Sequence, residues 1–184
     1  MGKHHLVLGH TQDILSGKTI EDTHDNRYRQ KLAHRLLEMG YTTREIQSHI
    51  PLVLICGEKR AAIHLDFLIL APGKSPLLIR YAPGSLVTRR TPARAAALLM
   101  GAPLVVISNG EDAELLHTAS GRLLGQGLEA IPQPHKLPQS QKDSQALSPE
   151  LKERCHRILY AFEVNDACPC DDAVCHLDPE PESP

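Results

Sequence analysis

The stretch over 61–83 constrains the fold most, because it contains two short apolar runs separated by a turn rich in proline and glycine. Apolar runs of this length on either side of such a turn are typical of adjacent strands in a mostly buried sheet. The first run carries a single acid, Asp66, among leucine, isoleucine and phenylalanine side chains. A carboxylate in so apolar a strand needs a metal ion, a cationic side chain or backbone N–H donors as its partner.

Strand geometry assigns the neighbours of Asp66, because side chains alternate between the two faces of a sheet. Asp66 is predicted to share its face with His64 and Leu68. The opposite face of that strand, taken as core, comprises Ile63, Leu65, Phe67 and Ile69. The two faces of the next strand are predicted to comprise Leu77, Ile79 and Tyr81 on one side, and Leu78 and Arg80 on the other.

The rest of the chain predicts helices packed on a sheet. Capping residues and apolar spacing indicate a helix over 26–39, capped by Asp25, and a helix to Met100 that starts at Thr91-Pro92. A capping box, Thr42-x-x-Glu45, indicates a short helix between them. Further extended segments are predicted at 49–56, 103–108, 113–117 and 122–124, and a last helix at 148–162.

The strands around Asp66 resemble the N-terminal domain of type I restriction enzyme R subunits, a branch of the PD-(D/E)xK nuclease superfamily. In that family an Asp on one strand and an acid-x-Lys on the next bind a divalent cation and activate water. Asp66 falls at the family Asp, and Ile79-Arg80-Tyr81-Ala82-Pro83 stands where the family has acid-x-Lys-Ala-Pro. Arg29-Gln30 matches a pair in the family's first helix, where Asn26 replaces the preceding acid. The resemblance covers 22–132.

This resemblance implies an α/β (α+β) fold, with a restriction-endonuclease-like central mixed sheet flanked by helices. The chain then divides into an N-terminal arm (1–22), a nuclease-like domain (23–131), a linker rich in Pro, Gln, Ser and Lys (132–147) and a C-terminal helix with a cysteine-containing acidic tail (148–184). The last helix must dock on its own domain or on another subunit, which allows an oligomer. Its apolar stripe comprises Leu151, Cys155, Ile158, Leu159 and Phe162.

The resemblance points to nuclease chemistry, but the residues that would hold the cation are replaced. Metal-assisted phosphodiester hydrolysis needs an oxygen-rich cation site, usually with two carboxylates, and here Ile79 and Tyr81 stand at the positions of the acid and the lysine. We therefore expect an inactive relative that binds nucleic acid or a protein partner. Arg80, Arg89 and Arg90 are the candidate contacts to a phosphate backbone, although a solvated loop is the simpler interpretation of the short Arg89-Arg90 cluster.

One alternative is an active metal-dependent endonuclease with a site relocated around Asp66 and His64. A His–Asp pair suits zinc or manganese better than magnesium, and a second carboxylate would have to approach Asp66. The candidates for it are Glu58, Asp25 and Glu38. A plain hydrogen-bonded pair of His64 and Asp66 is the competing interpretation.

Another alternative is a metal-binding regulatory or assembly protein that works through its C-terminal tail. Cys168, Cys170, Cys175 and His176 are enough soft ligands for a tetrahedral zinc site, or for part of an iron site. Their spacing differs from the familiar Cys-x2-Cys pair. Thiols that ligate nothing are the competing interpretation.

Composition limits the partners further. The chain of 184 residues has a formal net charge of -2, so no global positive field points to tight non-specific DNA binding. No apolar run approaches the roughly 20 residues of a membrane span, so no membrane partner is expected. Five cysteines are explained most simply as reduced thiols, which predicts a cytoplasmic location.

Overall fold

A six-stranded mixed sheet forms the centre of the computed structural model, which describes residues 6–140 and 146–165. A separate two-stranded sheet lies near the N-terminus. The strands are β1 (His10–Gln12), β2 (Thr19–Glu21), β3 (Ile46–Cys56), β4 (Lys59–Ile69), β5 (Leu77–Tyr81), β6 (Leu104–Ser108), β7 (Ala113–His117) and β8 (Leu123–Gln126). The helices are α1 (His24–Glu38), α2 (Leu86–Leu99) and α3 (Pro149–Leu159), and a π-helical turn (Tyr160–Asn165) follows α3.

The strands of the large sheet lie in chain order from β3 to β8. All neighbours pair antiparallel except β5 and β6, which are parallel and joined through α2. Alternate residues of the central strands enter two separate cores: Leu78 packs with α2 and α3, and Ile79 packs with α1. Helices therefore cover both faces of a mixed sheet, which confirms the predicted α+β class.

The predicted alternation along β4 is wrong at one point. Ile63 and Leu65 pack in the core with α2 and α3, whereas Phe67 and Ile69 pack in the core with α1. Regular alternation would put all four on one face, so the pattern breaks at Asp66. The facing strand is irregular at the same level, because His49 lies between the paired residues of β3 with a positive φ of 52°.

The helix α1 and the segment after it differ slightly from the prediction. Thr23, rather than Asp25, is the N-cap, and its side chain accepts a hydrogen bond from the Asn26 amide. The capping box forms one of its two hydrogen bonds, since the Glu45 carboxylate accepts from the Thr42 amide at 2.8 Å, whereas the Glu45 amide donates to the Thr42 carbonyl. These bonds close a turn that leads directly into β3, because the next residues pair with β4. The short helix predicted there is absent.

The helix α2 begins earlier than predicted. Ser85 is its N-cap, so Thr91 and Pro92 lie inside the helix and Arg89 and Arg90 belong to it. Proline has no N–H to donate to the preceding turn and normally ends or bends a helix. Here Leu86, in the first turn, is buried in the core with β4 and β5, and this packing favours the extra turns before the proline.

The described part of the predicted linker packs against the domain. Leu137 is buried in the core with α1, and the Tyr41 hydroxyl donates to the Pro132 carbonyl at 2.8 Å. The Ser75 amide donates to the Pro138 carbonyl. The segment over 132–140 therefore belongs to the folded domain despite its linker-like composition.

The helix α3 docks on its own domain. Ser148 caps it, and Cys155 and Leu159 are buried against α2 and β3. Leu151, which the apolar stripe placed in the interface, is 37% exposed. No helix in the described residues is both long and apolar enough to cross a bilayer.

Candidate functional site

A cleft of about 190 Å³ lies where β5 ends, beside the start of α2. Residues from α1, β4, β5, α2 and the π-helical turn line it. Its charged and titratable residues are Arg29, His64, Asp66, Arg80, Tyr81, Arg89 and Glu163. Five of the site residues predicted from the sequence therefore come together here: His64, Asp66, Arg80, Tyr81 and Arg89.

Asp66 is buried at the base of this cleft and accepts hydrogen bonds from three donors. Arg29 Nε donates to Oδ1 at 2.7 Å, and Arg80 Nε donates to Oδ2 at 3.0 Å. The backbone N–H of Tyr81 donates to Oδ2 at 3.0 Å. The sequence predicted that this carboxylate needs a partner, and the structure provides two guanidinium groups and a backbone amide.

The sheet explains why these donors can converge. The pairing of β4 with β5 covers only the three residues from Phe67 to Ile69. Beyond that point the two strands separate, so the Tyr81 amide has no strand partner on the β4 side and donates to the Asp66 side chain instead. The carboxylate takes the place of a ladder hydrogen bond and caps the separated strands.

Arg80 is buried between two acids. Its Nη2 donates to Glu163 Oε1 at 3.3 Å, in addition to the Nε bond to Asp66. Burial alone would lower the pKa of the guanidinium, but Glu163 and Asp66 outweigh that effect and raise the pKa. Its Nη1 is buried with no hydrogen-bond partner in the described part of the chain.

Arg29 and Tyr81 form a second layer beside Asp66. The Arg29 guanidinium carbon lies 5.2 Å from the centre of the Tyr81 ring, and Arg29 Nη1 donates to Asn26 Oδ1 at 3.4 Å. The Tyr81 hydroxyl donates to Asp25 Oδ1 at 3.3 Å, and burial followed by this acid raises the pKa of the phenol. Two positions of the degenerate motif, Asn26 and Tyr81, therefore lie near Asp66 in roles other than cation ligation.

The remaining motif position does not reach the cleft. Ile79 is completely buried in the core with α1, and it pairs with Phe67 across the sheet. Of the acids considered as replacements, Asp25 is bonded to Tyr81 and Glu38 pairs with His34 on the surface of α1. Neither of them, nor Glu58 in the β3–β4 turn, lines the cleft.

His64 lines the cleft with Asp66, and its side chain is exposed. Both carboxylate oxygens of Asp66 already accept from arginine, so a cation shared by the two residues would have to bind directly beside a guanidinium group or displace it. No group of three or more His, Cys, Asp or Glu side chains within the described residues could hold a metal ion.

The adjacent arginines Arg89 and Arg90 lie in the first turns of α2, so the solvated-loop interpretation is wrong. Arg90 is held by Glu114 of β7 through two hydrogen bonds of 2.6 Å. Arg89 is half-buried at the cleft wall. Because no hydrogen bond or ion pair joins its side chain to another described residue, Arg89 is the member of the pair that is available to a ligand.

The predicted tail ligands Cys168, Cys170, Cys175 and His176 lie outside the described residues. Of the cysteines that the structure describes, Cys56 and Cys155 are free thiols. Burial raises the pKa of the Cys155 thiol, as expected for a side chain that packs in the core.

Two residues of the cleft were not predicted from the sequence. Arg29 was noted only as part of a family-like pair, and its bond to Asp66 depends on how α1 crosses the sheet. Glu163 lies 83 residues from Arg80 along the chain, after the apolar stripe of α3. No local pattern signals a contact between them.

Comparison of the chain with family models, with curated proteins and with solved structures gives no match. The resemblance to the R-subunit nuclease domain therefore stays a prediction that depends on the residues around Asp66.

Proposed function

We propose that this protein contains a nuclease-derived domain without hydrolytic activity, which binds nucleic acid through the arginine-lined cleft. The observation that carries the proposal is the environment of Asp66. Both of its oxygens accept hydrogen bonds from buried or half-buried arginines, at 2.7 and 3.0 Å. Guanidinium groups stand where a nuclease of the family it resembles would hold a divalent cation.

The geometry disfavours hydrolysis for a chemical reason. A hydrolytic magnesium or manganese ion needs open oxygen ligands, which position it and the attacking water. Asp66 offers no oxygen that is free of a cationic donor, and Ile79 is buried on the other face of the sheet. Arginine cannot activate water as a bound metal ion does, because it is always protonated.

The same geometry favours an anionic partner. Three arginines line the cleft against two carboxylates, and both carboxylates are paired with Arg80. Arginine is well suited to phosphate because its planar fork donates two parallel hydrogen bonds. The net charge of -2 means that the molecule has no overall positive field, so the proposed attraction is a local property of the cleft.

A cleavage assay tests the absence of hydrolysis. The full chain and an Asp66→Asn variant are incubated with supercoiled plasmid in magnesium or manganese. We expect both proteins to leave the plasmid intact. Nicking by the parent that is lost in the variant would instead identify an active endonuclease at Asp66, the second candidate function.

A binding assay tests the cleft. Fluorescence anisotropy with labelled duplex and single-stranded oligonucleotides is expected to show binding that weakens with salt. Arg89→Ala should weaken binding and reduce the salt slope by about 0.9 for one lost phosphate contact to duplex. The matched control is Arg122→Ala, which removes an exposed arginine from the β7–β8 turn, outside the cleft. Equal effects of the two variants would exclude the cleft as the binding site.

We also propose a cytoplasmic location. The free thiols of Cys56 and Cys155 support it, since a reducing compartment keeps cysteines unpaired.

A further inference from the structure

We propose that the cleft recognises the terminal phosphate of a nucleic-acid strand, a phosphomonoester, rather than an internal phosphodiester. The inference rests on the proposed nucleic-acid binding and specifies the group that is bound. Three independent features of the cleft carry it: an unsatisfied buried donor, an available arginine and an uncapped helix end.

The unsatisfied donor belongs to Arg80. This side chain is 9% exposed and lines the cleft, and its Nη1 is buried with no partner in the described residues. A buried N–H without an acceptor is costly, more so when the group is charged. An oxyanion that enters the cleft beside Asp66 and Glu163 would supply the missing acceptor once the Arg80 guanidinium, whose Nη1 is closed to solvent, turns towards it.

The available arginine is Arg89. It lines the cleft, and no described residue forms a hydrogen bond or a salt bridge with its side chain. Arg29 also lines the cleft, where its Nε is bonded to Asp66 and its side chain remains 27% exposed. Both guanidinium groups therefore belong to the same cleft as Arg80.

The uncapped helix end is that of α2. Ser85 is its N-cap but its side chain makes no capping hydrogen bond, and the first turn contains no acid. Ala82 and Pro83, between β5 and this helix end, line the cleft. The positive end of the helix dipole adds to the attraction for an anion in the adjoining cleft.

The size of the cleft and the number of donors favour a terminal group. A cleft of about 190 Å³ has room for one phosphate with the nearest atoms of its sugar. A terminal phosphate has three unesterified oxygens for the three arginines. An internal phosphodiester offers only two, and it must carry a nucleoside past the cleft wall on both sides.

The test compares oligonucleotides that differ only at their ends. The full chain is titrated with one labelled single strand bearing a 5′-phosphate, a 3′-phosphate or only hydroxyl ends. We expect one phosphorylated form to bind about tenfold more tightly than the hydroxyl form, as for one charge-assisted contact. Arg89→Ala should abolish this preference, Arg89→Lys should retain part of it, and Arg122→Ala should leave it unchanged.

Different failures have different meanings. Equal affinity for all three oligonucleotides overturns the end-recognition inference but leaves nucleic-acid binding in place. If no oligonucleotide binds, the proposed function fails, and inorganic phosphate then tests the site alone. Phosphate should raise the Tm of the parent but not of Arg89→Ala, relative to sodium chloride of equal ionic strength. Equal shifts in both proteins would overturn the site itself.

Discussion

Asp66 illustrates how a lone acid can be accommodated in an apolar strand. Its carboxylate is paired with Arg80 across the separated ends of β4 and β5, and with Arg29 from α1. Such a buried ion pair adds little net stability compared with apolar residues of the same volume, because desolvation offsets the attraction. Removing one partner is a different matter, since it leaves the other charge buried and unpaired.

Replacement of Asp66 by alanine is therefore expected to destabilise the fold strongly. The variant leaves Arg80 buried with Glu163 as its only acidic partner in the described residues, so we expect a loss of about 3–5 kcal/mol in the free energy of unfolding. Urea denaturation measures it. Asp22→Ala, which breaks an exposed bidentate pair with Arg27, is the matched control and should have a much smaller effect. Similar losses in the two variants would contradict the buried network.

His156 gives the fold a predictable dependence on pH. The residue is buried, and its Nδ1 accepts a hydrogen bond from the Ile55 amide at 3.4 Å. Burial, and then the nearby Lys152, lower the pKa of the imidazole. As pH falls below the ordinary value of about 6.5, the unfolded state takes up the proton first, so stability is lost until the folded state is also protonated.

The substitution His156→Gln should remove this part of the pH dependence. The variant loses the packing of the ring at every pH, which lowers its free energy of unfolding relative to the parent. This cost is measured first at about pH 7.5, where the imidazole is neutral in both the folded and the unfolded state. We expect that cost to be smaller at about pH 5, because only the parent still loses stability through protonation. Denaturant titrations at the two pH values measure it. A cost that is the same at both would show that this ring is not held neutral.

The apolar surroundings of Asp66 in the sequence predict that its carboxylate needs a partner, but they do not identify that partner. Two apolar runs predict neighbouring strands without fixing their register. The observed register pairs Phe67 with Ile79, which brings Asp66 to the level of Arg80. Alternation also assumes an unbroken ladder, and here the pairing of β4 with β5 begins only at Phe67, one residue after Asp66.

At the scale of elements, the sequence predicted those with strong local signals. The β3–β4 hairpin, the strand β6 and the α3 helix all lie where apolar patterns and caps placed them. The predicted start of α2 was wrong. Thr91-Pro92 is a good local signal for a helix start, whereas the burial of Leu86, which favours the earlier start, is a tertiary effect that no local pattern shows. The packing of 132–140 was missed for the same reason, since its composition is that of a linker but Leu137 fills the core.

The docking of α3 on its own domain makes a testable prediction. Leu159 is completely buried against the sheet, so Leu159→Ala should lower the free energy of unfolding by about 2–5 kcal/mol. Leu151→Ala, on the same helix but 37% exposed, is the matched control and should cost much less. The losses are measured by urea denaturation at two protein concentrations. A loss for Leu159→Ala that depends on concentration would indicate that the helix docks on another subunit instead.

At the scale of the whole molecule, the mixed sheet with helices on both faces was predictable from the order of strands and helices. The cleft was not, because it is completed by Arg29 from the first helix and Glu163 from the segment after the last one. Parts of the chain that are far apart in sequence thus meet at the cleft. Their meeting determines what the cleft can bind, since it brings an arginine to each carboxylate oxygen of Asp66.

The most direct measurement is an experimental structure of the full chain determined with manganese present, with the ion located by its anomalous signal. Our account predicts that Arg29 and Arg80 keep their hydrogen bonds to Asp66 and that no manganese binds to its carboxylate. A manganese ion coordinated by Asp66 together with a second carboxylate, with the guanidinium groups displaced, would contradict the account.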